Sequence, residues 1–163
     1  MYAPQPNEPY APVSQPHLAV FLADGTGKRL GPSQSGNYSK PGEVSDGPRE
    51  AISAFWFDAY SAWFGCDNRG PEVCTLMFYA FAWSDTENTE VLIDQSTSTI
   101  APCRKSRGCG LELVEFPSTF QSLTGLQVEA FVGKEERMFF MDDLSMHWTN
   151  NTCAAGLQRQ SSQ

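Results

Sequence analysis

Apolar runs of strand length, rich in aromatic residues and parted by turn residues, recur between positions 51 and 148. The run at 126–132 alternates cleanly, with Leu126, Val128, Ala130 and Val132 on one face. The run at 75–83 puts Leu76, Phe78 and Ala80 on one face and Met77, Tyr79, Phe81 and Trp83 on the other. Side chains alternate across a strand with a period of two, so each run has one face to give to a core. The run at 51–64 carries aromatics at both parities, which suits a strand covered on both faces or one with a core face and an aromatic outer face. Propensity also allows a helix, but the aromatic density, the Gly65-Cys66 stop and the similar run that follows favour a strand. Shorter strands fit 18–22, 90–94 and 111–116, and the last run spans 138–148. This series, with no sustained helical period, predicts an all-β chain: a two-sheet antiparallel β-sandwich, jelly-roll-like in outline.

The strands set the domain limits. Residues 1–17 carry Pro4, Pro6, Pro9, Pro12 and Pro16 and read as an extended linker or a strap lying over the domain. Residues 18–158 form the sandwich, interrupted by a Gly/Pro/Ser-rich loop over 24–49. The polar tail at 159–163 is expected to fray. A chain of 163 residues is long enough for one domain with a sizeable core.

Cysteine usage points to the compartment. Of five cysteines, Cys66 and Cys74 flank a short turn, and Cys103 and Cys109 flank a basic, Gly-containing loop. Each pair suits a disulfide closing a short loop, which implies an oxidising, extracellular setting. Cys153 is left over: free, paired outside these residues, or displacing one of these pairings. The spacings match no zinc pattern. Asn37 and Asn150 head N-glycosylation sequons. A net charge of −8 disfavours nucleic acid and anionic lipid as partners, and no apolar run reaches the length of a membrane span. The basic group from Arg104 to Arg107 reads as a loop tip.

Inside the last run stand Asp142 and Asp143. Ionised carboxylates in a buried strand need a partner. In a regular strand they point to opposite faces, and only a bulge would let both reach one ion. A structural calcium ion is one expectation for Asp142 and Asp143; an aspartate accepting backbone N–H bonds, beside a solvated neighbour, is the other. Asp58 is expected to make a structural hydrogen bond.

Phe57-Asp-Ala-Tyr-Ser-Ala-Trp-Phe-Gly-Cys66, Cys74-Thr-Leu76, the run at 126–132 and Phe139-Phe-Met-Asp-Asp-Leu144 follow one another in an order that resembles β-jelly-roll domains related to galactose-binding and carbohydrate-binding modules. More narrowly, Phe139-Phe-Met-Asp-Asp-Leu144, Met146-His-Trp148 and Asn151-Thr-Cys-Ala-Ala-Gly156 resemble a domain near the C-terminus of fungal secreted, Ser/Thr-rich cell-surface proteins. The resemblance spans roughly residues 50–158. It implies a wall or surface protein, and any calcium at the Asp-Asp motif would be structural and remote from bound sugar.

Sugar rings stack their C–H faces on Trp and Tyr while polar neighbours bond the hydroxyls. Trp83, Tyr79, Tyr38, Tyr60 and Trp56 are the candidate ligand residues, with Trp148 a further aromatic of the same kind. Trp83, next to the Ser84-Asp85 turn, and Tyr38, in the long loop, are the ones expected to be accessible. Each also suits a core position. No Gly-x-Ser-x-Gly motif occurs, His17 and His147 lack a triad context, and the pairs Glu112/Glu115 and Glu135/Glu136 read as solvated charge. The expected function is therefore non-catalytic: adhesion or cell-wall recognition through a cell-wall or host-surface glycan. A protein–protein adhesion or display module, and a structural cap of a longer wall protein, remain alternatives.

Overall fold

The computed structural model describes residues 9–23 and 42–161. It is a two-sheet antiparallel sandwich. One sheet has the order β1 (Ala19–Phe21), β9 (Phe139–Trp148), β3 (Phe57–Cys66) and β6 (Glu112–Glu115). The other has the order β2 (Glu43–Ser45), β7 (Gly125–Val132), β4 (Cys74–Ser84) and β5 (Thr89–Ile100), with β8 (Glu135–Glu136) on β7.

The core lies between the sheets and follows the alternation of the sequence. Phe57, Ala59, Ala62 and Phe64 of β3 meet Leu76, Phe78 and Ala80 of β4 and Leu126, Val128 and Ala130 of β7. Phe64 and Phe78 pack edge to face at 5.4 Å, and Phe78 and Phe116 at 5.3 Å. Such pairs add about 0.5–1.5 kcal/mol each beyond the area they bury. The predicted disulfides form as paired, Cys66 with Cys74 and Cys103 with Cys109, while Cys153 is free and exposed. Cys66–Cys74 is fully buried and joins the end of β3 in one sheet to the start of β4 in the other.

The strand expected over 51–64 starts late. A 3-10 turn at Ser53–Phe55 precedes β3, so Trp56 lies ahead of the strand, half-buried, with its indole N–H bonded to the Glu50 carbonyl at 2.7 Å. Nor does the strand stop at Gly65. It runs through to Cys66, and Gly65 is where the ring of Tyr10 rests: a Cβ there would lie 2.7 Å from the ring. A residue with any side chain would push the ring away.

Tyr10 belongs to a second core on the outer side of this sheet. Residues 9–17 are a strap rather than a linker. The Pro9 carbonyl accepts the Cys109 N–H at 2.9 Å, and the Tyr10 hydroxyl donates to the Cys66 carbonyl at 3.1 Å. Tyr10, Leu18, Leu111 and Phe140 pack together with Cys103. Phe140, opposite in parity to Phe139 and Met141, is thus the outward residue of β9 that the strap covers. Within the expected 24–49 loop, Val44 pairs with Leu126 as part of β2, while residues 24–41, with Asn37 and Tyr38, lie outside the described residues.

The tail is the clearest departure. Of the tail expected to fray, residues 159–161 belong instead to a helix, α1 (Cys153–Ser161), and 162–163 lie outside the described residues. Thr152 caps it, its hydroxyl accepting the Ala155 N–H at 3.3 Å. Arg159 then fastens it: the guanidinium donates to the carbonyls of Ala54 and Asn150 and lies 5.0 Å over the Trp148 ring. A nine-residue helix is marginal alone, so these tertiary contacts decide its formation.

Candidate functional site

The pairing of β3 with β9 contains two irregularities, and both matter to the site. The register passes from Trp63↔Asp142 to Ser61↔Ser145, which leaves one extra residue on β9. Asp143 takes up the bulge with a φ of 47°. The alternation is thereby reset, and Leu144 and Met146 turn back toward the main core. Asp142 supports this turn. Its carboxylate accepts the Ser14 N–H at 2.9 Å, the Ser14 hydroxyl at 3.0 Å and the Asp143 N–H at 2.9 Å. It therefore anchors the strap, while Asp143 is exposed.

Among the described residues no group of three or more His, Cys, Asp or Glu gathers as a metal site, and the Asp142 carboxylate is engaged by Ser14. Asp58 is structural as expected, accepting the Ser122 N–H at 2.8 Å and the Thr149 hydroxyl at 2.6 Å.

The register next passes from Ser61↔Ser145 to Ala59↔Met146, which makes Tyr60 the extra residue on β3. The bulge turns Tyr60 outward, with 42% of its surface exposed. Its ring meets that of His147 edge to face at 5.2 Å. Beside Tyr60 runs a groove of about 360 Å³ along the β3–β6 edge, lined by Ser61, Glu115, Pro117, Ser118 and Gln121 among others. The Phe116 N–H bonds the Tyr60 carbonyl at 2.8 Å and fixes the two walls of the groove together. On the other side of His147 a second groove of about 400 Å³ is lined by Met146, His147, Trp148 and Asn151. Trp148 is 41% exposed.

The other candidate aromatics lie elsewhere. Tyr79 and Trp83 share the outward face of β4, in the opposite sheet, and both are half-buried. The Tyr79 hydroxyl bonds Glu129 at 3.2 Å, Gln127 donates to the same carboxylate at 3.2 Å, and the Trp83 indole donates to Asp85 at 3.1 Å. Trp83, expected to be the most accessible, is thus less open than Tyr60. The five aromatics do not form one platform, because a sandwich sends Tyr60 and Tyr79 to opposite outer faces. The outer face that gathers exposed rings and polar groups holds Tyr60 and His147, with Glu115 and Gln121; Trp148, opposite core-facing Phe57 in the pairing, alternates to the other side and shares only the second groove with His147. Neither polar residue was recognisable from local sequence. The signal was the pairing of Ser61 with Glu115, which only the fold supplies.

The Asn150 sequon is ordered next to this face. Asn150 Oδ1 accepts the Thr152 N–H at 3.2 Å and the Thr152 hydroxyl at 2.9 Å. Of the glutamates noted in the sequence, Glu112 accepts the Ala101 N–H at 2.8 Å, and Glu135 pairs with Arg137 at 2.6 Å.

No curated protein and no solved structure matches the chain. Residues 1–159 match a domain of unknown function, DUF7371, and the chain belongs to that family.

Proposed function

We propose that this is a secreted, non-catalytic recognition module of a fungal cell wall or surface, which binds glycan through the Tyr60–His147 face. One observation carries the reading: a bulge holds Tyr60 outward beside a groove whose wall mixes apolar Phe116 and Pro117 with polar Ser61, Glu115, Ser118 and Gln121, the arrangement that stacks a sugar ring and bonds its hydroxyls. Buried disulfides fit an extracellular setting, and among the described residues no helix is long and apolar enough to cross a membrane. The wall assignment rests on the resemblance of the Asp-Asp strand and the Thr-Cys-Ala-Ala-Gly segment to surface proteins. Asn150 is the described position for an attached glycan of the module's own.

Polysaccharide pull-down with the full chain tests it. Wild type should be retained on at least one wall polysaccharide, Tyr60→Ala should lose retention, and Trp83→Ala should keep it. Equal retention of wild type and Tyr60→Ala would remove the site. A protein–protein adhesion role is favoured by a different feature, the exposed Leu92 and Ile93 at the irregularity in β5. If that role holds, Leu92→Ser and not Tyr60→Ala will abolish adhesion to a partner-bearing surface.

A further inference from the structure

The charge around the Tyr60 groove is one-sided. Glu115 stands on its wall, opposite Ser61, exposed, and among the described residues no Lys or Arg pairs with it. Asp58 lies two residues from Tyr60 on the same strand. The Arg159 guanidinium lies over the Trp148 ring and gives its Nη1 protons to the Ala54 and Asn150 carbonyls, and no arginine or lysine lines the groove. Gln121 and Ser118 add neutral donors and acceptors. The whole chain carries −8, so the long-range field also repels anions.

We propose that this groove selects glycans bearing free amines, of the glucosamine type, with the ammonium on Glu115 and the C–H face of the same or the next ring on Tyr60. The inference rests on the glycan reading above and adds its specificity. A uronic or phosphorylated glycan would place its charge against Glu115 and be rejected. An N-acetylated one would stack on Tyr60 but leave the carboxylate without a counter-charge.

The test is titration calorimetry of the full chain with three oligosaccharides: a glucosamine oligomer, its N-acetylated counterpart and a galacturonate oligomer. Wild type should prefer the free amine. Glu115→Gln should weaken that oligomer about fivefold, equivalent to about 1 kcal/mol, and leave the N-acetylated one unchanged. Glu87→Gln removes the same charge from a remote turn and should change neither. Equal binding of amine and N-acetyl forms, or an equal loss in Glu115→Gln and Glu87→Gln, overturns the specificity. If Tyr60→Ala still abolishes binding in that case, the glycan reading survives without it. No binding of any oligosaccharide sinks both.

Discussion

Replacing Asp46 with asparagine should stabilise the domain at neutral pH and leave it unchanged in acid. Asp46 follows β2, and its N–H bonds the Thr124 carbonyl at 3.1 Å. Among the described residues neither of its carboxylate oxygens meets a donor, nor does Oε2 of Glu50. Burial first, then the charges of Glu90 and Glu50, raise the Asp46 carboxyl from its ordinary value of 3.8 to about 7, against smaller opposing effects of its own backbone N–H and of Arg49. Burial also pushes Glu90 up, partly offset by the Thr124 hydroxyl that donates to it at 2.5 Å. Below pH 3.8 the folded and unfolded chains both carry a neutral Asp46, and the group has no effect. As pH rises from 3.8 to about 7 the unfolded chain ionises while the fold keeps its proton, so stability falls; above about 7 the loss levels off. At ~1.4 kcal/mol per pH unit the full difference is about 4 kcal/mol. Asp46 is only half-buried, and solvent screening reduces this to on the order of 1–2 kcal/mol. An amide carries no charge to desolvate and should recover that amount. Thermal melts should therefore show Asp46→Asn above wild type by about 2–8 °C near pH 8 and level with it near pH 3.5. A variant less stable than wild type by the same margin at both pH values would refute the buried-charge account.

Other substitutions test how the layers are held. Gly65→Ala should unseat Tyr10 and loosen the strap, read as faster amide exchange at Cys109 with β4–β7 protection retained. Phe78→Ala should cost about 3–5 kcal/mol in denaturant melts, because the ring sits among Phe64 and Phe116 and is fully buried. Replacing Cys66 and Cys74 with serine should cost about 2–3 kcal/mol from loop entropy alone; a smaller loss would mean the β3–β4 corner holds without the bridge. Arg159→Ala should melt α1 and lower helical circular dichroism while the sheet signal persists.

The sandwich was legible because its core obeys the period-two rule in plain view, as Leu126, Val128 and Ala130 show. The disulfides were legible because each pair of cysteines brackets a turn. The site was not, for two physical reasons. Bulges at Tyr60 and Asp143 break the alternation, and a broken alternation leaves no mark in local sequence. Aromatic residues, too, serve a core and a binding face equally well, so Trp83 and Tyr60 look alike until the sheets are assembled. Nothing local to the Asp142-Asp143 pair pointed to the Ser14 donors that the strap supplies, a contact across 128 positions. Helix α1 carried a local sign in Thr152 before Cys-Ala-Ala, outweighed by Gly156 and the short polar tail.

The most direct measurement is an NMR titration of the labelled chain with a retained wall oligosaccharide. Amide shifts should concentrate at Tyr60, Ser61, Glu115, Ser118, Gln121 and His147, with Tyr79 and Trp83 unmoved. Shifts gathered on the outward face of β4, and none along the β3–β6 groove, would contradict the assignment of the binding face.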